Sequence, residues 1–248
     1  MTPLRTSSKP RTGFTLLELQ VAMAITAVVT IALFTLVGQS TDSYAQTQRA
    51  VNTLSQARAF VHFFEREIST RLPGMPLLHQ VGVGGSPDSA DKIAFVRTLS
   101  FDEQNEATPG DLGTSAYYVA FTADRSNTVS PKLFRISLNP ADTQTLLESP
   151  ATPDFPAPNP DTDEAIVSHV LDFRAVPKFH DPVTGELVDW QENSPAPPSI
   201  IALSIRFIDD AAAQRFTSQA DWNRIATNPR DNEHQFIRSF SRIISIAK

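Results

Sequence analysis

The chain has 248 residues, with 21 Lys and Arg against 27 Asp and Glu, and no cysteine. A disulfide framework, a thiolate metal site and a cysteine nucleophile are therefore excluded, and an acidic chain without a dense basic run offers no footprint for nucleic acid as a direct partner. The length suits one sizeable folded domain with an added element.

In chain order, the first segment holds Arg5, Lys9 and Arg11 among Ser, Thr and Pro, with no acid. No Lys or Arg then occurs until Arg49, and the run from Gly13 to Val37 contains one acidic residue, Glu18. As a helix, Leu19–Val37 rises about 28 Å at ~1.5 Å per residue, close to the ~30 Å hydrocarbon core of a bilayer. Positive charge before the run and none just after it predict a cytoplasmic N-terminus, a single pass through the inner membrane and an exported, periplasmic C-terminal body. Gln20, Thr26, Thr30 and Thr35 are uncharged and can bond to backbone carbonyls or neighbouring helices. Glu18 differs, because a carboxylate at the centre of a span costs ~2.5–3.5 kcal/mol and usually marks a partner. Near the end of a span the cost is smaller, and the bland alternative is a side chain resting at headgroup level. An amine created by cleavage after Gly13 is the natural cation to pair with it. A rival signal is Ser43-Tyr44-Ala45, whose small residues suit an ordinary signal peptidase. Cleavage there would give the alternative of an exported soluble or membrane-tethered binding domain or enzyme, released after Ala45 and starting at Gln46, but the apolar run exceeds the ~7–15 residues of a usual signal core.

The stretch Gly13-Phe14-Thr15-Leu16-Leu17-Glu18-Leu19 resembles the class III signal of type IV pilins and of type II secretion pseudopilins. The short basic leader before it and the membrane-length run after it are independent requirements of that signal, and both are met. The resemblance implies that prepilin peptidase cuts between Gly13 and Phe14 and methylates the new Phe14 amine. It implies that Glu18 pairs with an N-terminal amine, its own or a neighbour's, as helices enter a growing filament. The partners so implied are prepilin peptidase, other pilin-like subunits and the inner membrane, with no cofactor.

Beyond the run, no proline occurs between Pro10 and Pro73, and Gly38 is the only glycine between Gly13 and Gly74. One helix from Phe14 to Leu72, about 88 Å long at ~1.5 Å per residue, is the simple reading. Its distal half carries Ala50, Leu54, Ala57, Val61, Phe64, Ile68 and Leu72 at spacings of three and four, a face for core packing. Gln48, Asn52, Gln56, Glu65, Arg66 and Thr70 form the polar face, and His62 beside the stripe reads as a packed or capping residue. After Pro73-Gly74 the pattern predicts strands at Lys92–Thr98, Ser115–Thr122, Lys132–Leu138, Ile166–Val176, Ser199–Asp209 and Phe236–Ala247, the last of which also fits a helix. The expected fold is α+β: a long N-terminal helix, its exported amphipathic half packed on an antiparallel sheet. The expected divisions are a leader at 1–13, a membrane half of the helix at 14–37, an exported half at 38–72 and a β-rich domain at 73–248. Loops are expected at Val81–Asp91, at Asn193–Pro198 and at Glu148–Asp163, where five prolines prevent a central strand or helix.

Chemistry-bearing patterns are sparse. Asp161, Asp163 and Glu164 lack the spacing and glycine of a calcium loop and read as a solvated acidic loop. His180-Asp181 precedes Pro182 and reads as a turn, since His62, His79, His169 and His234 are too scattered for a zinc signature. No Gly-x-Ser-x-Gly elbow is present, and Trp190 and Trp222 read as buried anchors. Nothing here argues for an enzyme. The chain left after Gly13 is long for a major pilin and resembles the J-type minor pseudopilins at Phe64-Glu65-Arg66-Glu67-Ile68, at Pro197-Pro198-Ser199-Ile200-Ile201-Ala202-Leu203 and at Phe240-Ser241-Arg242-Ile243-Ile244. It is also similar to the Verru_Chthon cassette protein C group. The resemblance implies a minor subunit of a type II secretion pseudopilus, with a surface, adhesion or DNA-uptake filament as the alternative.

Overall fold

A computed structural model describes residues 15–246, apart from 84, 105–109, 124–127, 149–153, 193 and 195, and apart from the side chains at 42, 45, 46, 49, 50, 52 and 53. Helix α1 runs from Leu16 to Ser69. The chain divides between Gln48 and Arg49 into two units.

In the first unit the apolar side chains of α1 meet no protein. Leu16, Val28, Ile31 and Phe34 are all more than half exposed. Leu16–Thr41 is long and apolar enough to cross a membrane, with a mean hydropathy of 2.4. Its hydroxyls are satisfied within the helix: Thr26, Thr30 and Thr35 donate to the carbonyls of Ala22, Thr26 and Ile31 at 2.8, 2.8 and 2.9 Å. Such i−4 bonds let a polar residue stand in an apolar helix without an outside partner.

In the second unit the remainder of α1 becomes amphipathic. Ala57, Phe60, Val61, Phe64 and Ile68 are buried against residues of two antiparallel sheets. Of the expected apolar stripe, Ala50 lies outside the described side chains, and Phe60 is an inward residue that the stripe omitted. The helix stops before the expected Leu72, because Leu72–Met75 is a type II turn: Met75 N donates to the Leu72 carbonyl at 3.3 Å, Pro73 sits second, and Gly74 third with φ +80°.

The first sheet has the order β1 (Leu77–Gln80), β2 (Lys92–Thr98), β3 (Leu112–Ala123), β4 (Val129–Leu138) and β5 (Glu164–Ser168). The second has the order β7 (Leu187–Asp189), β6 (Val170–His180), β8 (Ile200–Ile208) and β9 (Ile237–Ser245). All pairings are antiparallel. The strand expected at Phe236–Ala247 is a strand from Ile237 to Ser245, with Phe236 closing a 3-10 turn before it, and Ala247 lies outside the described residues.

One expected strand requires correction. Ile166–Val176 is two strands in different sheets, separated at His169, whose φ of 59° lies in the left-handed region. A single residue of that conformation swings the chain from the edge of one sheet to the interior of the other. Just beyond it the ladder with β8 slips between Val170 and Asp172, so that Val170 faces the main core while Leu171 faces a second cluster. The sequence across this bulge, Ile166–Val176, carries no turn residue of the Gly or Pro kind and so reads as one strand.

That second cluster is built by α2 (Asp210–Ala213) and α3 (Gln219–Thr227), with Phe216, Trp222 and Ile225 buried in it. A third cluster, centred on Tyr118 and Phe134, covers part of the first sheet with Phe155 from the proline-rich loop. Asp91 ties the sheets together: its amide donates to the Phe173 carbonyl at 2.9 Å, and its carboxylate accepts from Gly82 N at 2.8 Å and Ala175 N at 3.1 Å.

Phe64 is fully buried and its ring lies 5.0 Å from Tyr117 and 6.0 Å from Phe95. Phe64→Ala is expected to lower unfolding free energy by about 3–5 kcal/mol, measured by chemical denaturation. Phe101→Ala, at a residue 88% exposed, is expected to stay within about 0.5 kcal/mol of wild type.

Candidate functional site

The expected processing residues Gly13 and Phe14 lie outside the described residues; Glu18 lies within them. Its carboxylate accepts from the Thr15 amide at 2.9 Å and the Thr15 hydroxyl at 3.0 Å, while Glu18 N donates back to Thr15 Oγ1 at 3.2 Å. This is a reciprocal capping box, which satisfies two of the free amides at the helix start and places negative charge at the positive end of the helix dipole. The arrangement holds the carboxylate over the residue that follows Phe14. Its remaining lone pairs stay exposed and available to a cation.

In the second unit, α1 carries another carboxylate of the opposite kind. Glu67 is 5% exposed and points inward. It accepts from the Tyr117 hydroxyl and from Arg135 Nη2, and lies 3.1 Å from Arg97 Nη2. Arg97 grips Glu103 through two parallel bonds of 2.9 and 2.7 Å and donates to Ser115 Oγ at 2.8 Å. Arg135 Nη1 reaches Glu164 at 3.1 Å. Burial, with Glu67 beside it, pushes the Tyr117 hydroxyl well above the usual tyrosine range, so it stays a donor. The bonds from Arg97, with those from Ser100, outweigh partial burial and hold the Glu103 carboxyl down at about 2. Sequence spacing alone could have found Glu67, since it follows the inward Phe60 and Phe64 by seven and three residues.

Most of the other chemistry-bearing residues have structural partners. Asp163 accepts from Tyr118 at 2.6 Å and from Asn159 N at 2.8 Å, and Glu164 is the partner of Arg135. Asp181 closes the β6–β7 hairpin by accepting from Val183 N at 2.7 Å. His62 lies 3.7 Å from Glu65. Trp222 is buried and donates to the Val129 carbonyl at 2.8 Å, while Trp190 packs against the main core. His169 stacks on Trp222 and bonds Asp210 at 2.9 Å, and burial lowers its pKa. No group of three His, Asp or Glu residues suited to a metal ion occurs among the described residues.

Residues 8–34 match the prokaryotic N-terminal methylation motif. Among solved structures, the chain is similar to a chain of the GspK-GspI-GspJ complex from the enterotoxigenic Escherichia coli type 2 secretion system, with 12% identity and a TM-score of 0.38 over 79% of this chain and 98% of that one. It is also similar to a type IV-like pilin from Thermus thermophilus, with 11% identity and a TM-score of 0.42 over 78% of this chain and 94% of that one. No curated protein matches the chain.

The ionic cluster sets an acid limit on the fold. Glu103 titrates at about 2 in the folded chain against an ordinary 4.5, so its contribution is present above about 4.5 and is lost as pH falls towards 2. Glu233, held at about 2 by Arg224, acts in the same window. The melting temperature is expected to fall between these pH values, and Glu103→Gln is expected to flatten part of that fall; an unchanged slope would remove Glu103 from the account.

Proposed function

We propose that this chain is a minor pilin-like subunit, a pseudopilin, cut after Gly13 by prepilin peptidase, methylated on Phe14 and assembled through its N-terminal helix into a type II secretion pseudopilus. One observation carries this reading: the methylation motif at residues 8–34 overlies the start of a solvent-exposed apolar helix whose first turn keeps a carboxylate. A signal peptide destined for removal needs no such carboxylate.

The chain's own residues supply each step of the mechanism. Leu16–Thr41 holds the subunit in the inner membrane by its apolar surface, and the threonine hydroxyls impose no need for a polar neighbour. Cleavage after Gly13 turns the amide of Phe14 into an amine, and N-methylation leaves it a cation. Glu18 is already bound to Thr15, the residue next in sequence to Phe14. It can equally meet the amine of an adjacent subunit, where apolar surroundings strengthen the attraction and make an unpaired carboxylate costly. Helix packing then proceeds through dispersion and small-residue contact, with the pair setting axial register. The unit from Arg49 onward selects which neighbour is accepted. The role is structural, and no catalytic residue is assigned.

The amino-terminal residue and intact mass of the membrane-fraction protein test this directly. Expression with prepilin peptidase is expected to yield N-methyl-Phe14, and expression without it an intact leader. A start at Gln46, or an uncut leader in both strains, would overturn the assignment. For the assembly step, Glu18→Ala is expected to insert and be cut normally but to enter filaments at least about tenfold less, equivalent to about 1.4 kcal/mol. Normal incorporation of that variant would remove Glu18 from docking.

A further inference from the structure

Arg71 lies just beyond α1, at an isolated bridge to Arg97 of β2. It is 8% exposed. Its Nη2 donates to the Met75 carbonyl at 2.9 Å, across the type II turn, while its Nε is buried with no hydrogen-bond partner. Among the described residues it forms no ion pair, in contrast to the buried Arg97 and Arg135, each of which meets carboxylates. A buried guanidinium without a counter-ion is costly, and burial lowers its pKa accordingly.

The same residue lines a cleft of about 340 Å³. Ser199 lines it too, and Ser199 Oγ is a second buried polar atom without a partner. The remaining walls are Pro73, Gly74, Ala196, Pro197 and Pro198, and His180 stands at the cleft as well. Two residues with unmet polar atoms thus line one apolar cavity whose size falls at the small end of ligand sites, and small side-chain rotations there would be needed to present those atoms to an occupant.

We propose that this cleft binds a carboxylate carried on a short apolar body, with the Arg71 guanidinium as counter-ion and the Ser199 hydroxyl as second donor. The donor set favours a carboxylate over a phosphate or sulfate. A planar guanidinium edge matches two carboxylate oxygens, whereas the three prolines of the wall carry no N–H, which leaves few donors for the further oxygens of a tetrahedral anion. The walls then cover an aliphatic body of a few carbons. The ligand is either a free short-chain acid or the carboxylate of a peptide.

The inference does not depend on processing or assembly, because the cleft belongs to the unit from Arg49 onward and its assay reads neither. Full-length protein in detergent is titrated calorimetrically with 4-methylpentanoate and its neutral amide, and with acetyl-Ala-Leu and its C-terminal amide. At least one acid is expected to bind, with its amide about tenfold weaker or more, as loss of a charge-assisted hydrogen bond implies. Arg71→Gln is expected to abolish the preference for acid over amide. Ala196→Trp, which fills the cleft and leaves Arg71 untouched, is expected to abolish binding and guards against a folding defect in the first variant. Binding of the free acid without the peptide identifies a small-molecule site, and binding of the peptide acid identifies a chain carboxylate. Equal affinity for acid and amide, no saturation by either acid below about 10 mM, or a preference that survives Arg71→Gln would each overturn the proposal.

Discussion

A carboxylate on the inner face of a helix must find its partners in whatever the helix packs against, and Glu67 finds them on three successive strands. Arg97 lies on β2, Tyr117 on β3 and Arg135 on β4. Their bonds to one side chain fix the rotation of α1 about its axis and its position along the first sheet together, which apolar contacts do only loosely. Phe60, Phe64 and Ile68 descend from the same face into a core shared by both sheets. Asp91 then holds the second sheet against the first through bonds to the β6 backbone. Removing a single partner from such a buried ionic group costs about 3–5 kcal/mol, although an apolar replacement of the whole group can be neutral. The contribution of the group is therefore geometric as much as energetic.

The two glutamates of α1 solve one problem in opposite ways. Glu67 is committed: every strong partner is a distant residue, and none can leave without exposing a buried charge. Glu18 is provisional, since its partner is Thr15, three residues away, and its carboxylate remains open to solvent. A local cap of this kind is worth about 0.5–2 kcal/mol and can be exchanged for a better cation at little cost. The hydroxyls along the span are self-satisfied in the same local manner. Everything polar before Thr41 that has a described bond finds it within four residues, whereas the polar groups at the end of the helix rely on the sheets.

The strands legible in the sequence were those with strict alternation or a dense apolar centre. β2 was expected with its observed boundaries, and β8 and β9 within one or two residues at each end. β1 and β7 escaped because four and three residues are too few to show a period of two. The junction at His169 escaped because backbone conformation, not side-chain chemistry, makes it. The site residues divide in the same way. Glu18 was visible because an acid in an apolar run contrasts with its neighbours. Arg97 and Arg135 look like ordinary outward residues of alternating strands, and their inward role depends on a helix residue far away in sequence. Arg71 lies just beyond the end of α1 and outside the expected apolar stripe, and its missing counter-ion is a property of three-dimensional packing alone.

The sheets end in rims of a particular kind. β1, β5 and β7 are edge strands of four, five and three residues, and the one long edge, β9, presents Arg238 and Arg242. Short edges and charged edges are the two common defences against strand-to-strand growth. Under the proposed assembly through the helix, this defence matters more than for a solitary protein, because assembly would concentrate identical sheets at close range. Growth by strand addition would compete with growth by helix packing and would not be reversible on the same terms. With blunted rims, the proposed helix-to-helix route would be left as the one way for the molecule to become a fibre.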